Sequence, residues 1–542
     1  MKNLASIPYS RLPQSTGLLL DYLEHYERVA PFYNGSPFDS ASYVKLAQGV
    51  QKLPYARGQV ADILQRQNES FGCDHATRVN IDRLRDADTF AVVTGQQVGA
   101  FSGPAYTLYK ALTAIRLAQA LSEQGIPAVP IFWLASEDHD LEEVAEAEVL
   151  GEDQQLVPLR PEAVKSAPQC SVGHVKFSFA VGALLDRLET TLPAGPPRDQ
   201  LLQDLRESYR PGATWSQAFG RLLACLFSRW GLILLDPLDE AVHSLSAPVY
   251  GRALDLSSEI RRQLRERSSA LLRAGYQAQV HVGEDTTLLF VEQQGNRLAL
   301  RQEGEEFRVN YEETFTPTKL QAWLGRNALE FSPNVLLRPI VQDLLLPTVA
   351  YVGGPSEIAY LGQAQAIYAT LGRPMPVIFP RAGFTLVDHR LQRWLEKYGL
   401  ILEDVWQGEE HLNRKMAATG PVEGWTARFD QTQQDLTRSL GQLRQDVETL
   451  DPTLVAALKG AGEKMMYQLE KLKGKISRAA VGRSTLMARH RQALLNSLLP
   501  HGDLQERRIS GIYFLGRAGY GLLEYLMTQI RIGSSDHFVI SY

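Results

Sequence analysis

The sequence has 542 residues, of which 44% are hydrophobic and 22% are charged, as in ordinary globular proteins. Its 56 basic and 61 acidic residues give a formal net charge of -5, so no overall positive field attracts nucleic acid or an anionic membrane. Cys73, Cys170 and Cys225 have no CxxC spacing and therefore indicate neither a disulfide framework nor a structural zinc site. Because the N terminus lacks the apolar core of a signal peptide and no run approaches about 20 apolar residues, we expect a cytoplasmic protein.

The first 88 residues are predicted to be mainly helical. Leu19, Tyr22, Leu23, Tyr26 and Val29 recur at helical spacing and would share one apolar face. A loop rich in Pro, Asn and Gly follows them and separates this helix from the next apolar pattern. We therefore expect 1–88 to form a helical segment that packs on a core domain.

Residues 89–153 are predicted to be the first half of that core. Phe90–Val93 is a short apolar run typical of a buried strand, and TGQQVGAFSGP after it is too rich in Gly for regular structure. Pro104 suits the first turn of a helix, and the apolar segment 128–134 predicts a second strand that ends in SEDHD. The carboxyl ends of parallel strands share one edge, where ligands bind, so the loop and the acidic cluster should face each other across a crevice.

The following regions predict a core that is interrupted twice. Short strand-like pieces at 154–213 indicate an insertion, and 214–275 returns to the core with a buried strand that ends at Asp236. Alternating segments at 276–326 predict a small antiparallel insertion. Region 327–420 repeats the order strand, Gly-rich turn, helix and strand around YVGGPSEIAY, so it is predicted to be the second half of the core. Two such units favour an α/β fold with a doubly wound parallel sheet.

Region 421–499 is predicted to be an antiparallel coiled-coil hairpin. Apolar residues recur there at the three- and four-residue steps of a heptad seam. The first arm contains Phe429, Leu436, Leu440, Leu443, Val447 and Leu450, and the second contains Met465, Leu469, Leu472, Ile476 and Ala479. Asp451 and Pro452 separate the arms as a cap and first-turn pair. Exposed arms of this kind often dimerise, and 500–542 should return to the core as a helix and an edge strand, HFVISY.

The Gly-rich loop of the first half could bind phosphate. Small residues after a strand let backbone N–H groups approach an anion, and the following helix adds its positive end. The loop is neither a P-loop nor a GxGxxG fingerprint, so Gly95, Gly99 and Gly103 could instead serve only a structural turn. Lys110 shares a helix face with Tyr106 and could lie near a bound anion, or it could be a solvated surface lysine.

The acidic cluster Glu137–Asp140 could bind Mg²⁺, orient an amine or act as a general base. Neighbours along a strand alternate, so about two of the four side chains can point inward, and the cluster could also be a cap before the next helix. No residue is assigned as a metal ligand. Weaker candidates, each with a structural alternative, are Asp236, Arg338 and Glu357. The histidines predicted to be structural or at the surface, because they lack ligand spacing, are His174, His243 and His281.

Four motifs in this order resemble the cysteine-adding enzymes of bacillithiol biosynthesis, also called bacillithiol synthases. They are TGQQVGAFSGPAYTLYKA, FWLASEDHD, RPIVQDLLLPTVAYVGGPSEIAYL and LQER. Together with the coiled-coil region, the resemblance covers essentially the whole chain. Val98 stands where this family usually has Pro, and Ser356 where it usually has Gly, but neither change removes a functional group.

The resemblance implies a Rossmann-like nucleotidyltransferase core with insertions, a dimerising coiled coil, and the joining of the cysteine carboxyl group to the amine of glucosaminyl malate. A carboxylate does not condense with an amine unaided in water, so we expect ATP as co-substrate, with activation as an adenylate or an acyl phosphate. The residues that the resemblance suggests for catalysis are Lys110, Asp138, His139 and Asp140. Those suggested for substrate or nucleotide binding are Thr94, Gly95, Gln96, Gln97, Gly103, Tyr106, Glu137, Arg338, Gly353, Gly354, Glu357 and Tyr360.

Two other hypotheses remain open at this point. One is a different nucleotidyltransferase-like enzyme on the same core, and the other is a noncatalytic coiled-coil homodimer that binds a nucleotide. Pyrophosphate exchange with a substrate other than cysteine would favour the first. The second predicts that alanine at Gln97, Lys110 or His139 leaves cellular function intact.

Overall fold

A computed structural model describes residues 1–309, 313–418 and 425–542. The elements in the first 150 residues are β1 (Lys2–Ile7), α1 (Gly17–Glu24), α2 (Ser40–Val50), α3 (Arg57–Phe71), α4 (His75–Arg83), β2 (Phe90–Gln97), α5 (Tyr106–Glu123), β3 (Ala128–Ala135), α6 (Leu141–Val144) and β4 (Ala147–Leu150). The N-terminal region is therefore helical apart from β1, which the sequence analysis missed because KNLASI is too polar to suggest a strand.

The elements between 151 and 326 alternate between short strands and helices. They are β5 (Leu156–Leu159), β6 (Ala163–Val164), β7 (Lys176–Phe177), α7 (Val181–Thr191), α8 (Pro196–Ser208), α9 (Trp215–Phe227), β8 (Ile233–Leu235), α10 (Glu240–Asp255), α11 (Ser257–Arg273), β9 (Thr286–Gln293), β10 (Asn296–Glu303), β11 (Glu306–Val309), β12 (Glu313–Phe315) and α12 (Pro317–Arg326).

The remaining elements complete the core and form the helical C-terminal part. They are β13 (Phe331–Pro333), α13 (Arg338–Leu345), β14 (Thr348–Gly353), α14 (Pro355–Thr370), β15 (Val377–Pro380), β16 (Gly383–Val387), α15 (His389–Lys397), α16 (Leu402–Trp406), α17 (Glu409–Ala418), α18 (Trp425–Leu450), α19 (Val455–Arg483), α20 (Thr485–Leu498), α21 (Gln505–Arg508), α22 (Gly511–Ala518), α23 (Gly521–Gln529) and β17 (His537–Ser541).

The central sheet has the strand order β15-β14-β2-β3-β8, and every neighbouring pair is parallel. The chain starts in the middle at β2, proceeds outward through β3 and β8, and then returns to the other side of β2 with β14 and β15. This confirms the predicted doubly wound parallel sheet. The direction of winding reverses between β2 and β14, and in open α/β sheets ligands bind outside the carboxyl ends of the strands at this reversal.

Apolar side chains cover both faces of the sheet. Alternate residues of β2 enter different cores: Ala91 and Val93 pack in one buried cluster, and Val92 packs in another. This alternation follows from the two-residue period of a strand and explains why the run FAVV is apolar without a break. With both faces buried, a ligand can reach the sheet only at its ends.

Strand β2 continues four residues beyond the predicted Val93 and takes in TGQQ. Gly95, Gln96 and Gln97 pair with β3, and a Cβ atom on Gly95 would lie 2.9 Å from the carbonyl oxygen of Trp133. The loop proper is therefore only 98–103, and it is buried rather than open. The hydroxyl of Ser510 donates a hydrogen bond of 2.9 Å to the carbonyl oxygen of Phe101 in this loop.

The closing segment HFVISY is not an edge strand, so that prediction was wrong. Strand β17 lies between β1 and β16, antiparallel to the first and parallel to the second. All five of its residues are buried. This central position could not be predicted from HFVISY alone, because it depends on pairing with the polar strand β1.

The predicted antiparallel insertion forms a five-stranded sheet beside the core. Its order is β12-β11-β10-β9-β13, so β13 extends it beyond the predicted end at 326. The next residue after β13, Asn334, leads directly into α13 of the core. This insertion is thus joined to the carboxyl-end side of the central sheet.

Helices α18 and α19 form the predicted antiparallel pair. Asp430 contacts Lys473 at 2.6 Å, and Leu440 lies against Gly462. Residue numbers therefore increase along α18 where those of the facing residues on α19 decrease, as in an antiparallel pair. The predicted boundary at 420/421 lies outside the described residues. The second arm does not run unbroken to Pro500, because it ends at Arg483 and Ser484 caps the separate helix α20. In the described part of the chain, no helix has the length and apolarity needed to cross a bilayer.

Candidate active site

A cavity of about 650 Å³ opens at the carboxyl ends of β2, β3 and β14, where the winding of the sheet reverses. It collects most of the site residues suggested from the sequence. Those that line it are Gly95, Gln96, Gln97, Tyr106, Lys110, Glu137, Asp138, His139, Arg338, Gly354, Glu357 and Tyr360. Those that lie outside its lining are Thr94, Gly103, Asp140 and Gly353.

The suggested residues outside the lining have structural contacts. Thr94 is buried and donates a hydrogen bond of 2.8 Å to the carbonyl oxygen of Val352, which joins β2 to β14. Gly103 has a φ of 65° and ends the buried loop. Asp140 is exposed and caps α6 by accepting a hydrogen bond from the N–H of Glu143 at 3.2 Å. The phosphate-binding role predicted for the loop therefore has no support at Gly103.

Lys110 is buried, with 3% of its side chain exposed, so the surface-lysine alternative is wrong. Its ammonium group contacts the carboxylate of Glu357 and donates hydrogen bonds to the carbonyl oxygen of Gly95 at 2.8 Å and to Oε1 of Gln96 at 2.9 Å. Helix α5 points Lys110 back toward the end of β2 because helical side chains tilt toward the N terminus. The lysine therefore links both halves of the core at the cavity wall.

Glu357 is ionised although only 16% of its side chain is exposed. Burial by itself would raise its pKa, but the ammonium group of Lys110, the N–H of Gly354 at 2.7 Å and the hydroxyl of Tyr351 at 2.6 Å together lower it. Burial lowers the pKa of Lys110, and Glu357 opposes that shift. The result is a charged pair within the cavity wall whose carboxylate is already occupied by three donors.

Arg338 provides a second cation on the same wall. It begins α13 and donates hydrogen bonds to the hydroxyl of Tyr360 at 3.0 Å and to that of Tyr351 at 3.3 Å. These contacts fix the guanidinium group without neutralising it, because neither partner is a carboxylate. Arg338 can therefore attract an anion that enters the cavity.

Glu137 follows the end of β3 and is 6% exposed. Burial raises the pKa of its carboxyl group to about 7, with Asp236 and Asp138 adding to the rise and Arg297 and Arg338 opposing it. A carboxyl group with a pKa near neutrality, at the end of a strand and beside a cavity, is the kind of group that takes up or releases a proton in catalysis.

The other members of the acidic cluster are held by neighbours. Gln97 donates hydrogen bonds to Asp138 at 2.8 Å and to Glu143 at 2.9 Å. The Nδ1 atom of His139 lies 3.3 Å from the guanidinium group of Arg297, which can only donate, so Nδ1 is the acceptor. Asp138 and Nδ1 of His139 are therefore already engaged where these two residues line the cavity.

Asp236 does not line the cavity, although it ends a core strand as predicted. It accepts hydrogen bonds from the hydroxyls of Ser136 at 2.6 Å and of Ser216, and from the N–H of Leu238 at 3.1 Å. It thereby fixes the residue that precedes Glu137. Its role is to position the end of β3 rather than to contact a ligand.

Sequence reasoning missed Arg297, which reaches the cavity from β10 in the antiparallel insertion. Its guanidinium group lies 3.9 Å from the ring centroid of Phe290 and donates to the hydroxyl of Ser332 at 2.9 Å and the carbonyl oxygen of Pro333 at 2.8 Å. An Arg in a short antiparallel strand usually faces solvent, so its sequence carries no signal for this position.

Two further arginines in the lining, Arg381 and Arg507, were also missed. Arg381 directly follows β15, so the rule that strand ends carry site residues could have found it. It is 4% exposed and donates a hydrogen bond of 2.6 Å to the buried Glu506. Arg507 is exposed and belongs to the LQER motif, whose residues carry no pattern that predicts a role in the site.

The described residues contain no group of three or more His, Cys, Asp or Glu side chains arranged to hold a metal ion. The lining instead combines four arginines and Lys110 with the carboxyl groups of Glu137, Asp138, Glu143 and Glu357. Such a lining can bind an anionic substrate, stabilise negative charge that develops in a transition state and exchange one proton through Glu137.

Comparisons with known proteins match the whole chain. The N-terminal Rossmann-like domain of bacillithiol biosynthesis BshC matches residues 4–382, and its C-terminal coiled-coil domain matches residues 384–542. A relative from Koribacter versatilis is 37% identical over 522 residues, which cover 96% of each chain. Relatives from Solibacter usitatus (36% identical, 98% of each chain) and Salinibacter ruber (35% identical, 98% of this chain and 97% of the relative) are equally extensive. All three carry the name "Putative cysteine ligase BshC".

Proposed function

This chain belongs to the bacillithiol biosynthesis BshC family, and we propose that it is a ligase that joins the carboxyl group of cysteine to the amine of glucosaminyl malate. The observation that carries this proposal is the cavity at the winding reversal of the sheet. Its fixed cations suit the two carboxylates of a malate group, and Glu137 offers a proton acceptor for an amine.

We propose ATP as the co-substrate. Formation of an amide from a free carboxylate requires a leaving group, which an adenylate or an acyl phosphate would supply. Lys110 and Arg338 are placed on one wall of the cavity, where they would stabilise negative charge on the departing phosphate oxygen. Mg²⁺ would enter with the nucleotide phosphates, and magnesium dependence of the reaction is the measurement that tests this part.

We also propose a homodimer formed through α18 and α19. Several apolar residues of the predicted heptad seam remain exposed in the single chain, among them Leu443, Leu450, Met465 and Leu472. Leu450 is 81% exposed, which is unusual for a large apolar side chain in a heptad. A second copy of the hairpin would cover these side chains.

The decisive experiment is incubation of the purified protein with glucosaminyl malate, cysteine and ATP, followed by mass spectrometry. We expect a product with the mass of both substrates less one water, and no product when ATP is omitted. A folded protein that gives no product over a range of nucleotides and Mg²⁺ concentrations would refute the ligase function. Pyrophosphate exchange with another carboxylate substrate would then favour a different nucleotidyltransferase-like enzyme.

The noncatalytic alternative, a nucleotide-binding coiled-coil dimer, is disfavoured by the cost of the site. Burying a Lys–Glu pair and a separate carboxyl group in one cavity wall lowers the stability of a protein. Such a cost is expected to be retained where these groups are needed for activity. Alanine at Gln97, Lys110 or His139 should therefore abolish function in cells, whereas the alternative predicts that these variants remain functional.

A further inference from the structure

Two buried polar atoms beside the cavity face each other without any other partner. Within the described residues, neither Oε1 of Glu137 nor Nε2 of His243 has a hydrogen-bond partner, and the two atoms lie 3.7 Å apart. Their side chains are 8% and 3% exposed. Buried polar atoms are almost always hydrogen-bonded, so two orphans that face each other indicate a shared proton.

The other nitrogen of His243 determines which atom carries that proton. Nδ1 lies 2.9 Å from the carbonyl oxygen of Phe331, which can only accept, so Nδ1 carries a hydrogen. Burial lowers the pKa of His243 and favours the neutral ring. A neutral ring with hydrogen on Nδ1 presents a lone pair on Nε2, and that lone pair can accept a hydrogen bond from a protonated carboxyl group.

We propose that Glu137 is the catalytic base of this site and that His243, behind it on α10, is a positioning residue that stabilises the acid form of Glu137. Glu137 lines the cavity, whereas His243 does not. The inference rests on the proposed function for its substrate, the amine of glucosaminyl malate, and gives that site a proton acceptor. A small approach of the two side chains would bring the 3.7 Å separation to hydrogen-bond distance.

The proton transfer is balanced without a further reactant. The ammonium form of the amine loses one proton, and the electron pair of the broken N–H bond stays on nitrogen, where it becomes available to attack the activated carboxyl carbon. The Glu137 carboxylate gains that proton and becomes neutral. The amine reaches the carboxyl oxygen that faces the cavity, so the proton is first bound there. When the neutral carboxyl group turns to place this hydrogen on the side of His243, the hydrogen points toward Nε2.

The charged surroundings of Glu137 fit this role better than those of the other acidic candidates. Arg297 and Arg338 face it from β10 and α13, Asp236 from the end of β8, and Asp138 from the next position, while the Tyr250 hydroxyl lies on α10 with His243. Burial raises the pKa of Glu137, and these charges, which partly oppose one another, leave it at about 7. Asp138 is instead held by Gln97, and Asp140 is exposed and caps a helix.

The variants that test the proposal distinguish the donor function of Nδ1 in His243 from the acceptor function of Nε2. The amide of His243→Asn can retain the donor to Phe331 but removes the acceptor toward Glu137, whereas His243→Gln can place an amide oxygen near the former Nε2 atom. Thermal denaturation verifies that each variant is folded. Glu137→Gln removes the base while retaining the size of the side chain.

The first measurement is the pH profile of kcat for product formation. We expect the rate to fall below about pH 7 in the unchanged protein, and Glu137→Gln to lower kcat by roughly 10²- to 10⁴-fold and to abolish this acidic limb. In His243→Asn the midpoint should move to lower pH by roughly 0.5 to 1 unit, because the acid form loses its acceptor, and it should move less in His243→Gln. A midpoint that stays in place or rises in His243→Asn, or an acidic limb that survives in Glu137→Gln, would overturn the proposal.

The second measurement needs no turnover. Infrared difference spectra of the protein should show a protonated carboxyl band that titrates near pH 7, is absent in Glu137→Gln and moves to lower pH in His243→Asn. If the protein forms no bacillithiol yet retains this titration, the ligase function fails while the pairing of Glu137 with His243 stands. If the protein is an active ligase without this band, the proposal for Glu137 and His243 is wrong.

Discussion

The ammonium group of Lys110 on α5 lies against the carboxylate of Glu357 on α14, so one buried ion pair joins the two halves of the core across the point where the sheet reverses its winding. Each residue belongs to a separate strand–helix unit. The pair therefore couples the relative position of these units to the shape of the cavity that both of them line.

Removing one member of this pair should be strongly destabilising. Lys110→Met leaves Glu357 as an unpaired buried charge, and Glu357→Gln does the same to Lys110, at a cost of about 3 to 5 kcal/mol each. The double variant should be more stable than the sum of the two losses predicts, yet inactive. Urea denaturation measures the free energies of unfolding. As a control, Arg85→Met breaks the exposed Arg85–Asp62 pair and should lower the free energy of unfolding by less than about 1 kcal/mol. If the losses of the Lys110 and Glu357 single variants simply add in the double variant, the two residues are not energetically coupled.

Acid should weaken the contact between the core and the C-terminal part of the chain. Burial alone would raise the pKa of Glu506, but Arg381, His537 and the N–H of Phe384 lower it below its value in the unfolded chain. The ionised group therefore stabilises the fold above an unfolded pKa of about 4.3, and this contribution is lost as the pH falls through the lower folded pKa.

Glu506→Gln should remove the part of the pH dependence of the unfolding free energy that comes from this carboxylate. The difference in unfolding free energy between the unchanged protein and Glu506→Gln should be largest above about pH 5 and should shrink as the pH falls toward about 3. Urea titrations at several pH values measure it. Glu524→Gln, whose carboxylate pairs with Arg229 at the surface, serves as the control and should show little difference at any pH. A difference for Glu506→Gln that grows in acid would contradict this account.

The sequence was sufficient to predict the parallel sheet and the edge of the sheet at which the cavity opens, because these features depend on local patterns. Apolar runs such as FAVV, Gly-rich turns and helical spacing identify strand–helix units, and the winding rule then places their carboxyl ends together. Lys110, Glu137, Arg338 and Glu357 could be named from that rule and from the family resemblance.

Contacts made by distant segments could not be predicted in the same way. Arg297 reaches the cavity because β13 joins the insertion to the core, and β17 is central because the polar β1 covers its other side. The pairing of Glu137 with His243 also depends on how α10 packs, and a histidine without ligand spacing carries no signal of it. Long-range packing, rather than residue type, decides these positions.

Arg297 should contribute to substrate binding in a way that lysine cannot reproduce. Its planar guanidinium group contacts Ser332, Pro333 and the ring of Phe290 at once, and a lysine ammonium group cannot keep this geometry. Arg297→Lys should raise KM for glucosaminyl malate by roughly 10- to 100-fold, which corresponds to one lost charge-assisted hydrogen bond. Steady-state kinetics with varied glucosaminyl malate measure this effect.

The same strand offers a matched control for Arg297. Arg301 also lies on β10, but its side chain is 48% exposed and pairs with Asp285 at the surface. Arg301→Lys should leave KM unchanged within about twofold, since exposed ion pairs contribute little. Equal effects at the two positions would mean that the strand as a whole, rather than the guanidinium group in the cavity, determines binding.

Replacing Glu137 by Gln should stabilise the protein at alkaline pH. The folded pKa of about 7 lies above the unfolded value, so folding favours the protonated form, and the fold loses stability as the pH rises from about 4.3 to 7. At pH 8 the removed penalty is about 3.5 kcal/mol, whereas near pH 4 it is close to zero. Urea denaturation of both proteins at these two pH values measures the difference. An equal effect at both would show that Glu137 is not buried as a carboxyl group with a raised pKa.

The exposed seam of the hairpin should determine the oligomeric state. Met465 is 50% exposed on α19, so Met465→Glu removes apolar contact area only if a second chain covers it. We expect light scattering after size-exclusion chromatography to show a shift from dimer to monomer, with little change in the thermal stability of the core. Lys464→Glu places a carboxylate on the adjacent exposed position, changes the net charge by two units rather than one, and should nevertheless retain the dimer. If the unchanged protein is already a monomer at micromolar concentration, or if both variants dissociate equally, the seam is not the dimer interface.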